Sequence, residues 1–376
     1  MLTKPISVDS ETDLDQIDTM EREAIASRAT SKKTALTRRA TLAELAKHTG
    51  LSKPTLSRAL NDYPDIAETT KNRVREAAKL IGYEPSSRAR QLSVGRAEAI
   101  GLITPMNSKG LRSAYQSEFM NSLAVSLAAL GHDLLLHAVD EPEKEVEAYA
   151  RLAKAGKVDG FVVMRTREID PRINFLRENN IPFVTQGRFS AGADQAWLDI
   201  DAEQGFYEVT SHLIELGHKK ISYLAGDPGM YSSRYRQSGI ERAMKDAGLR
   251  LHSTYNGDFT AESGRLAVRS SVTKGLDFTA LICANDAMAM GAISAASELG
   301  IHVPGDLSIT GYDGVRLAEI FNPPITTISH SAADCGASVA SMIVSLVRKE
   351  DSRDLQRLVK PTLILRGSTL PPKGLS

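Results

Sequence analysis

The chain has 376 residues, 42% of them hydrophobic, and its 46 Lys/Arg balance 46 Asp/Glu, so the formal net charge is zero. That length suits two or three domains with ample core. No apolar run approaches the roughly 20 residues of a membrane span, and no basic-then-apolar leader opens the chain, so a cytoplasmic protein is expected.

The neutral total conceals a split. Residues 1–30 carry three Lys/Arg against seven Asp/Glu, residues 31–96 carry fourteen against six, and the remaining 280 residues carry 29 against 33. A basic segment joined to a slightly acidic body is the pattern of a DNA-binding headpiece on a sensor, with phosphate contacts that make affinity salt-dependent. Residues 1–38, acidic early and basic late, read as a disordered extension or a start-site artefact.

Thr41 to Asn61, TLAELAKHTGLSKPTLSRALN, reads as two short helices broken at a glycine. Leu42, Leu45 and Ala46 recur at helical spacing, and Thr41 with Glu44 has the form of a capping box. Gly50 falls where a left-handed residue is needed, and Ser52 is placed to cap the second helix. Leu56, Ala59 and Leu60 give that helix an apolar face; Lys53, Thr55, Ser57 and Arg58 lie off it. The pattern fits a helix-turn-helix that sets its second helix in the major groove better than the bland alternative, an αα-hairpin of any helical protein. A third helix is expected from Glu68 to Ile81, ended by Gly82. This headpiece spans 39–85. Ser86 can then cap a short helix through Arg88, Ala89, Arg90, Gln91 and Leu92, either a plain tether or a segment ordered by DNA, within a hinge at 86–97.

From Ala99 strands and helices alternate. The first set runs from Ile100–Thr104 to a strand at Phe183–Thr185, and a second opens at Leu198–Ile200 and closes with helix Ala332–Arg348 and strand Pro361–Leu365. The fold class expected is α/β: a three-helix headpiece and hinge, then two doubly wound lobes with parallel sheets. The core is placed at 98–370, one lobe at 98–196 plus 328–348 and the other at 197–326 plus 349–370. Ligands of such sheets lie outside the carboxyl ends of the strands, and two lobes can turn those ends to one cleft. Cys283 and Cys335, without metal-like spacing, read as buried reduced thiols.

From Thr41 to about Gly367 the chain resembles the LacI/GalR family of bacterial transcriptional regulators. The likeness is carried by the headpiece through Leu60-Asn61, Leu80-Ile81-Gly82-Tyr83, Ile100-Gly101-Leu102-Ile103, Leu216-Gly217-His218, Arg236 with Gly239, and Ala284-Asn285-Asp286. It continues in Val303-Pro304, Asp306-Leu307-Ser308, Gly311-Tyr312-Asp313 and Pro324-Ile325-Thr326-Thr327-Ile328. The resemblance implies a helix-turn-helix headpiece, a hinge helix and a periplasmic-binding-protein-like core, working as a homodimer on a palindromic double-stranded DNA operator. Lys53 and Pro54 match the variable positions that open the recognition helix, and Arg58 a later base-reading position; Lys53 and Arg58 can donate to guanine O6/N7. Pro54 can meet a thymine methyl or only start the helix. Thr41, Ser52, Thr55, Ser57 and Asn61 join the expected DNA contacts, chiefly to phosphates. Leu92 matches the hinge leucine that wedges into the minor groove. Ser86 departs from the family's usual asparagine, which puts a contact there in doubt.

In the core, Arg236 matches the arginine that holds the small effector, its planar fork suited to two hydroxyls or a carboxylate. Asp286 and Asp313 follow strands where a ligand lies, although Asp286 also suits a helix cap. Asn285, Tyr115, Arg165, Arg188 and Asp199 complete the expected effector set; Trp197 suits the cleft or the lobe core. Hydroxyl-seeking groups suggest a carbohydrate, a disaccharide or a glucoside, over a purine. A repressor of sugar-utilisation genes, released by that effector and using no cofactor, is the reading. The rivals are a member answering to another metabolite or to a protein co-regulator, an activator, a solute-binding protein, and an enzyme. The last lacks a Gly-x-Ser-x-Gly elbow, a P-loop, a dinucleotide fingerprint and a Cys/His metal set, and His218 reads as a helix end. The tail after Gly367 has no leucine heptads, so no helical-tail tetramer is expected.

Overall fold

The computed structural model describes residues 40–83, 96–105, 114–189, 195–350 and 355–373. The expected extension at 1–38 and the hinge residues Ser86, Arg88, Ala89 and Leu92 lie outside them. The chain divides into two compact units, Met1–Gly95 and Arg96–Ser376.

In the first unit α1 (Leu42–Thr49) starts at a complete capping box: Glu44 N–H donates to Thr41 Oγ1 at 3.3 Å and Thr41 N–H to Glu44 Oε2 at 2.7 Å. Gly50, at φ 71°, is the left-handed residue that ends it. Helix α2 (Lys53–Leu60) is capped by Ser52, with Pro54 in its first turn, where the missing N–H costs nothing. Helix α3 (Glu68–Ile81) closes over both, with Leu45, Leu56, Ala59, Val74 and Ala78 as the buried core. Each buried Leu or Val contributes about 1.5–3 kcal/mol. The guanidinium of Arg73 ties α3 to the turn by donating to Thr49 O.

The second unit opens with β1 (Ala99–Pro105), α4 (Ala114–Ala129), β2 (Asp133–Val139), α5 (Glu145–Lys154), β3 (Gly160–Met164), α6 (Pro171–Glu178), β4 (Phe183–Gln186) and β5 (Trp197–Ile200). It continues with α7 (Ala202–Glu215), β6 (Ile221–Ala225), α8 (Tyr231–Asp246), β7 (Ser253–Asn256), α9 (Ala261–Thr273), β8 (Ala280–Cys283), α10 (Asp286–Glu298) and β9 (Ser308–Asp313). Helix α11 (Arg316–Ile320), β10 (Thr326–Ser329), α12 (Ala332–Arg348), β11 (Gln356–Val359) and β12 (Thr362–Ile364) complete it. Two six-stranded sheets result, ordered β11-β5-β4-β3-β1-β2 and β12-β10-β9-β8-β6-β7. All pairings are parallel except β10 with β12. Strands β1, β3, β6 and β8 are buried almost throughout, as a sheet covered on both faces requires.

The lobe boundary differs from the sequence expectation. Trp197–Ile200 was expected to open the second lobe, yet β5 lies in the first sheet between β4 and β11. Segment 349–370 is likewise divided, β11 closing the first sheet and β12 the second. Residues 328–329 lie in β10 of the second sheet, whereas α12 packs on β3, β4 and β5. The chain therefore passes between the lobes at three places: β5 to α7, β10 to α12 and β11 to β12.

Glycine sets the closest helix approaches. A Cβ on Gly239 of α8 would stand 2.1 Å from Glu203 O of α7, and one on Gly291 of α10 would stand 1.8 Å from Ala261 O of α9. Cys283 and Cys335 are free and buried, as expected. His218 does follow α7, but its role is larger than ending a helix. Its Nδ1 meets Thr279 Oγ1 at 2.8 Å and its Nε2 meets Leu370 O at 2.9 Å, which anchors the last described segment to the second lobe. No helix of the described residues is long and apolar enough to cross a membrane.

Candidate DNA-reading helix and ligand cavity

Along α2 the expected DNA-facing residues divide by what they already bind. Thr41 is used in the α1 cap. Ser52 accepts from Thr55 N–H at 3.3 Å and pairs with the Thr55 hydroxyl at 2.8 Å, so both side chains have local partners that a phosphate would have to share. Lys53 and Pro54 are exposed, Ser57 and Asn61 half-buried, and Asn61 closes the helix through its N–H to Ser57 O at 3.1 Å. Arg58 is exposed, ion-paired with Asp65, and its guanidinium carbon stands 5.4 Å from the centre of the Tyr63 ring. The sequence reading passed over both of those partners.

In the second unit the strand carboxyl ends of both lobes surround one cavity of about 150 Å³. Of the expected effector residues, Tyr115, Arg165, Asp199, Arg236, Asn285 and Asp313 line it. Two do not. The Asp286 carboxylate is turned into the protein, accepting from Thr327 Oγ1 at 2.6 Å and Val315 N–H at 2.9 Å. Nor does it cap α10: that N-cap is Asn285, whose Oδ1 accepts from Met288 N–H at 2.9 Å. Arg188 stands behind the lining, its Nε donating to Asp199 Oδ2 at 2.7 Å and its guanidinium 3.9 Å over the Tyr235 ring. Burial pulls Arg188 down, but the Asp199 bond outweighs it and the net shift is upward. Trp197 lies beside Arg188, 6.0 Å from ring to guanidinium carbon, and not on the lining.

Arg236 enters from α8. Its Nη1 donates to Ala284 O at 2.7 Å, and its guanidinium lies 4.5 Å over Tyr312 and 5.2 Å from Phe259. Its Nε is buried without a hydrogen-bond partner. Asp313 holds φ 116°, a strained backbone for a residue with a Cβ. Burial and the neighbouring Asp286 carboxylate push its pKa well above the usual range, against the pull of Arg236. His330, between β10 and α12, is drawn to about 3 by burial and by Arg236. It is a neutral imidazole, its ring 4.8 Å from Tyr115 and 5.3 Å from Tyr312, with Nδ1 unpartnered.

Arg165 is also left-handed, at φ 56°. Its carbonyl accepts from Arg172 Nη2 at 2.9 Å, and Arg172 is itself held by Asp170 (2.7 Å) and Glu145 (3.1 Å) in the first-lobe interior. That buried network fixes the strained turn and so aims Arg165 at the cavity. The sequence reading also missed Asp258, Phe259 and Thr260, which follow β7. Strand β7 is short and alternately exposed; had it been read as a strand, the carboxyl-end rule would have marked the loop. Together the walls offer guanidinium donors, carboxylate and amide acceptors and tilted rings, which suits a small polar ligand.

Residues 41–86 match the model for bacterial regulatory proteins of the lacI family, and residues 210–369 the model for a periplasmic binding protein-like domain. The HTH-type transcriptional regulator AglR of Rhizobium meliloti (strain 1021) is 33% identical over 339 residues, covering 88% of this chain and 94% of that protein. The HTH-type transcriptional repressor PurR of Klebsiella pneumoniae (strain 342) is 35% identical over 336 residues, covering 88% and 96%. Among solved structures, the lac repressor dimer bound to operator and the anti-inducer ONPF superposes with a TM-score of 0.78 at 26% identity, covering 89% of this chain and all of that one. The transcriptional regulator CelR in complex with cellobiose gives a TM-score of 0.68 at 26% identity, covering 88% of this chain and all of that one.

Proposed function

Because the chain belongs to the lacI family of bacterial regulatory proteins, a DNA-binding transcriptional regulator and not an enzyme, we propose that it is a cytoplasmic, homodimeric repressor released by a small carbohydrate. The observation that carries this reading is Arg236, whose side chain lines a cavity together with Asp199, Asn285 and Asp313. Carboxylates accept from sugar hydroxyls, and the guanidinium fork donates to them. The cavity rings that meet do so at tilted angles, 56° for Tyr115 with His330 and 48° for Tyr312 with His330, and not as parallel plates for a flat base.

The switch is a linkage. Effector draws the lobes together through the three crossings, the first lobes turn across the dimer, and the hinge around Leu92 loses its hold on the operator centre. A ligand shifts that equilibrium only by its differential affinity for the two states, typically about 1–3 kcal/mol. The full chain is to be titrated calorimetrically with monosaccharides, disaccharides and purine bases. Heat with a mono- or disaccharide, together with weakened DNA binding, supports the reading; heat with purines alone overturns the sugar.

A further inference from the structure

Two residues of one turn, Tyr63 and Asp65, converge on Arg58. After α2 ends, Asp62 turns the chain at φ 57°, and its carboxylate is gripped by Arg75 and faces Lys71 from α3. The turn then folds back: Tyr63 N–H donates to Arg58 O at 3.1 Å, the Tyr63 ring lies 5.4 Å from the guanidinium carbon, and Asp65 forms an ion pair with that guanidinium. Both charged side chains are half-exposed, at 49% and 47%. An exposed pair of this kind contributes next to nothing to stability, so folding does not explain it.

We propose that Asp65 is a specificity-setting residue, its carboxylate positioning the Arg58 guanidinium for base reading while its charge opposes indiscriminate binding to phosphates. An unheld arginine gives up rotamer freedom when it meets a guanine, and a pre-set one gives up less. The same carboxylate repels the DNA backbone, so it weakens binding to any duplex where Arg58 finds no acceptor. Both effects widen the gap between right and wrong DNA. The inference rests on the reading that α2 faces base edges.

The test uses the full chain and a pool of duplexes with a randomised core. The pool is enriched with the native protein; affinities for the best enriched duplex and a scrambled one are then measured at several salt concentrations. Asp65→Asn is expected to weaken the enriched duplex about five- to tenfold, tighten the scrambled one about twofold, and steepen the salt dependence by about one unit of slope. Enrichment with this variant is expected to relax the preference for guanine at the positions that Arg58→Ala also relaxes, while Asp65→Glu restores most of it. Equal factors on both duplexes, with base preference intact, would reduce Asp65 to structure or bulk charge and overturn the proposal alone. If Arg58→Ala leaves every base preference intact, Arg58 reads no base, and the underlying reading falls with the proposal.

Discussion

The Thr327 hydroxyl reaches Asp286 Oδ1 across 2.6 Å, and this bond fastens β10 to the start of α10 in the second-lobe interior. Val315 N–H holds the other carboxylate oxygen, so Asp286→Ala leaves two buried donors empty. The expected cost is about 2–5 kcal/mol by urea unfolding. Burial raises the Asp286 pKa from 3.8 to about 6 against the pull of these bonds. A raised carboxyl pKa favours the folded state below the unfolded value, and that contribution is lost as pH rises through the folded one. The penalty of Asp286→Asn should therefore shrink by about 2 kcal/mol between pH 4 and pH 6.5. A penalty flat across that window would remove the buried-carboxyl account.

Arg236→Lys keeps a positive charge but loses the planar fork over Tyr312. Operator affinity is expected to stay within about twofold, while effector affinity falls by about 10- to 100-fold. An unchanged release of operator by effector would take this arginine out of the site.

The network behind Arg165 gives a different pattern. Glu145→Gln leaves Arg172 and Arg167 without the carboxylate that each contacts, at 3.1 and 3.2 Å. A loss of about 3 kcal/mol of stability is expected, together with weaker effector binding, because the left-handed turn at Arg165 is no longer held. Calorimetry well below the melting temperature separates the two effects; full effector affinity there would show that Arg165 needs no such support.

Gly239→Ala puts a methyl where only 2.1 Å separates it from Glu203 O. Helix α8, which carries Arg236, must move off α7, at a cost of about 1–3 kcal/mol. Thermal melts read the loss, and effector titration reads the displaced guanidinium. A melting temperature equal to that of the native chain would mean that the helices slide without cost.

What the sequence made legible follows from how local each signal is. Thr41 with Glu44, Gly50, Ser52 and Gly82 are local devices, and they bound the headpiece helices where expected. Strand β5 was recognised yet given to the wrong lobe, because alternation reveals that a strand exists and not which sheet receives it. The Gln356–Val359 strand was passed over: its side chains are mostly exposed, and its pairing with β5 bridges a long stretch of sequence. Asn285 and Asp286 are adjacent at a helix start, so only their bonds tell which one lines the cavity. His330 lies two residues past a family-like motif, and nothing in its neighbours announces a ring wedged between two tyrosines.

The late closure of both sheets matters for synthesis. The headpiece core is complete by Tyr83, whereas each sheet of the sensing unit lacks an edge until β11 and β12 have emerged. A growing chain therefore owns its DNA reader long before its metabolite reader. A product cut anywhere between residues 96 and 355 keeps a finished headpiece core but lacks at least one edge of a sensing sheet.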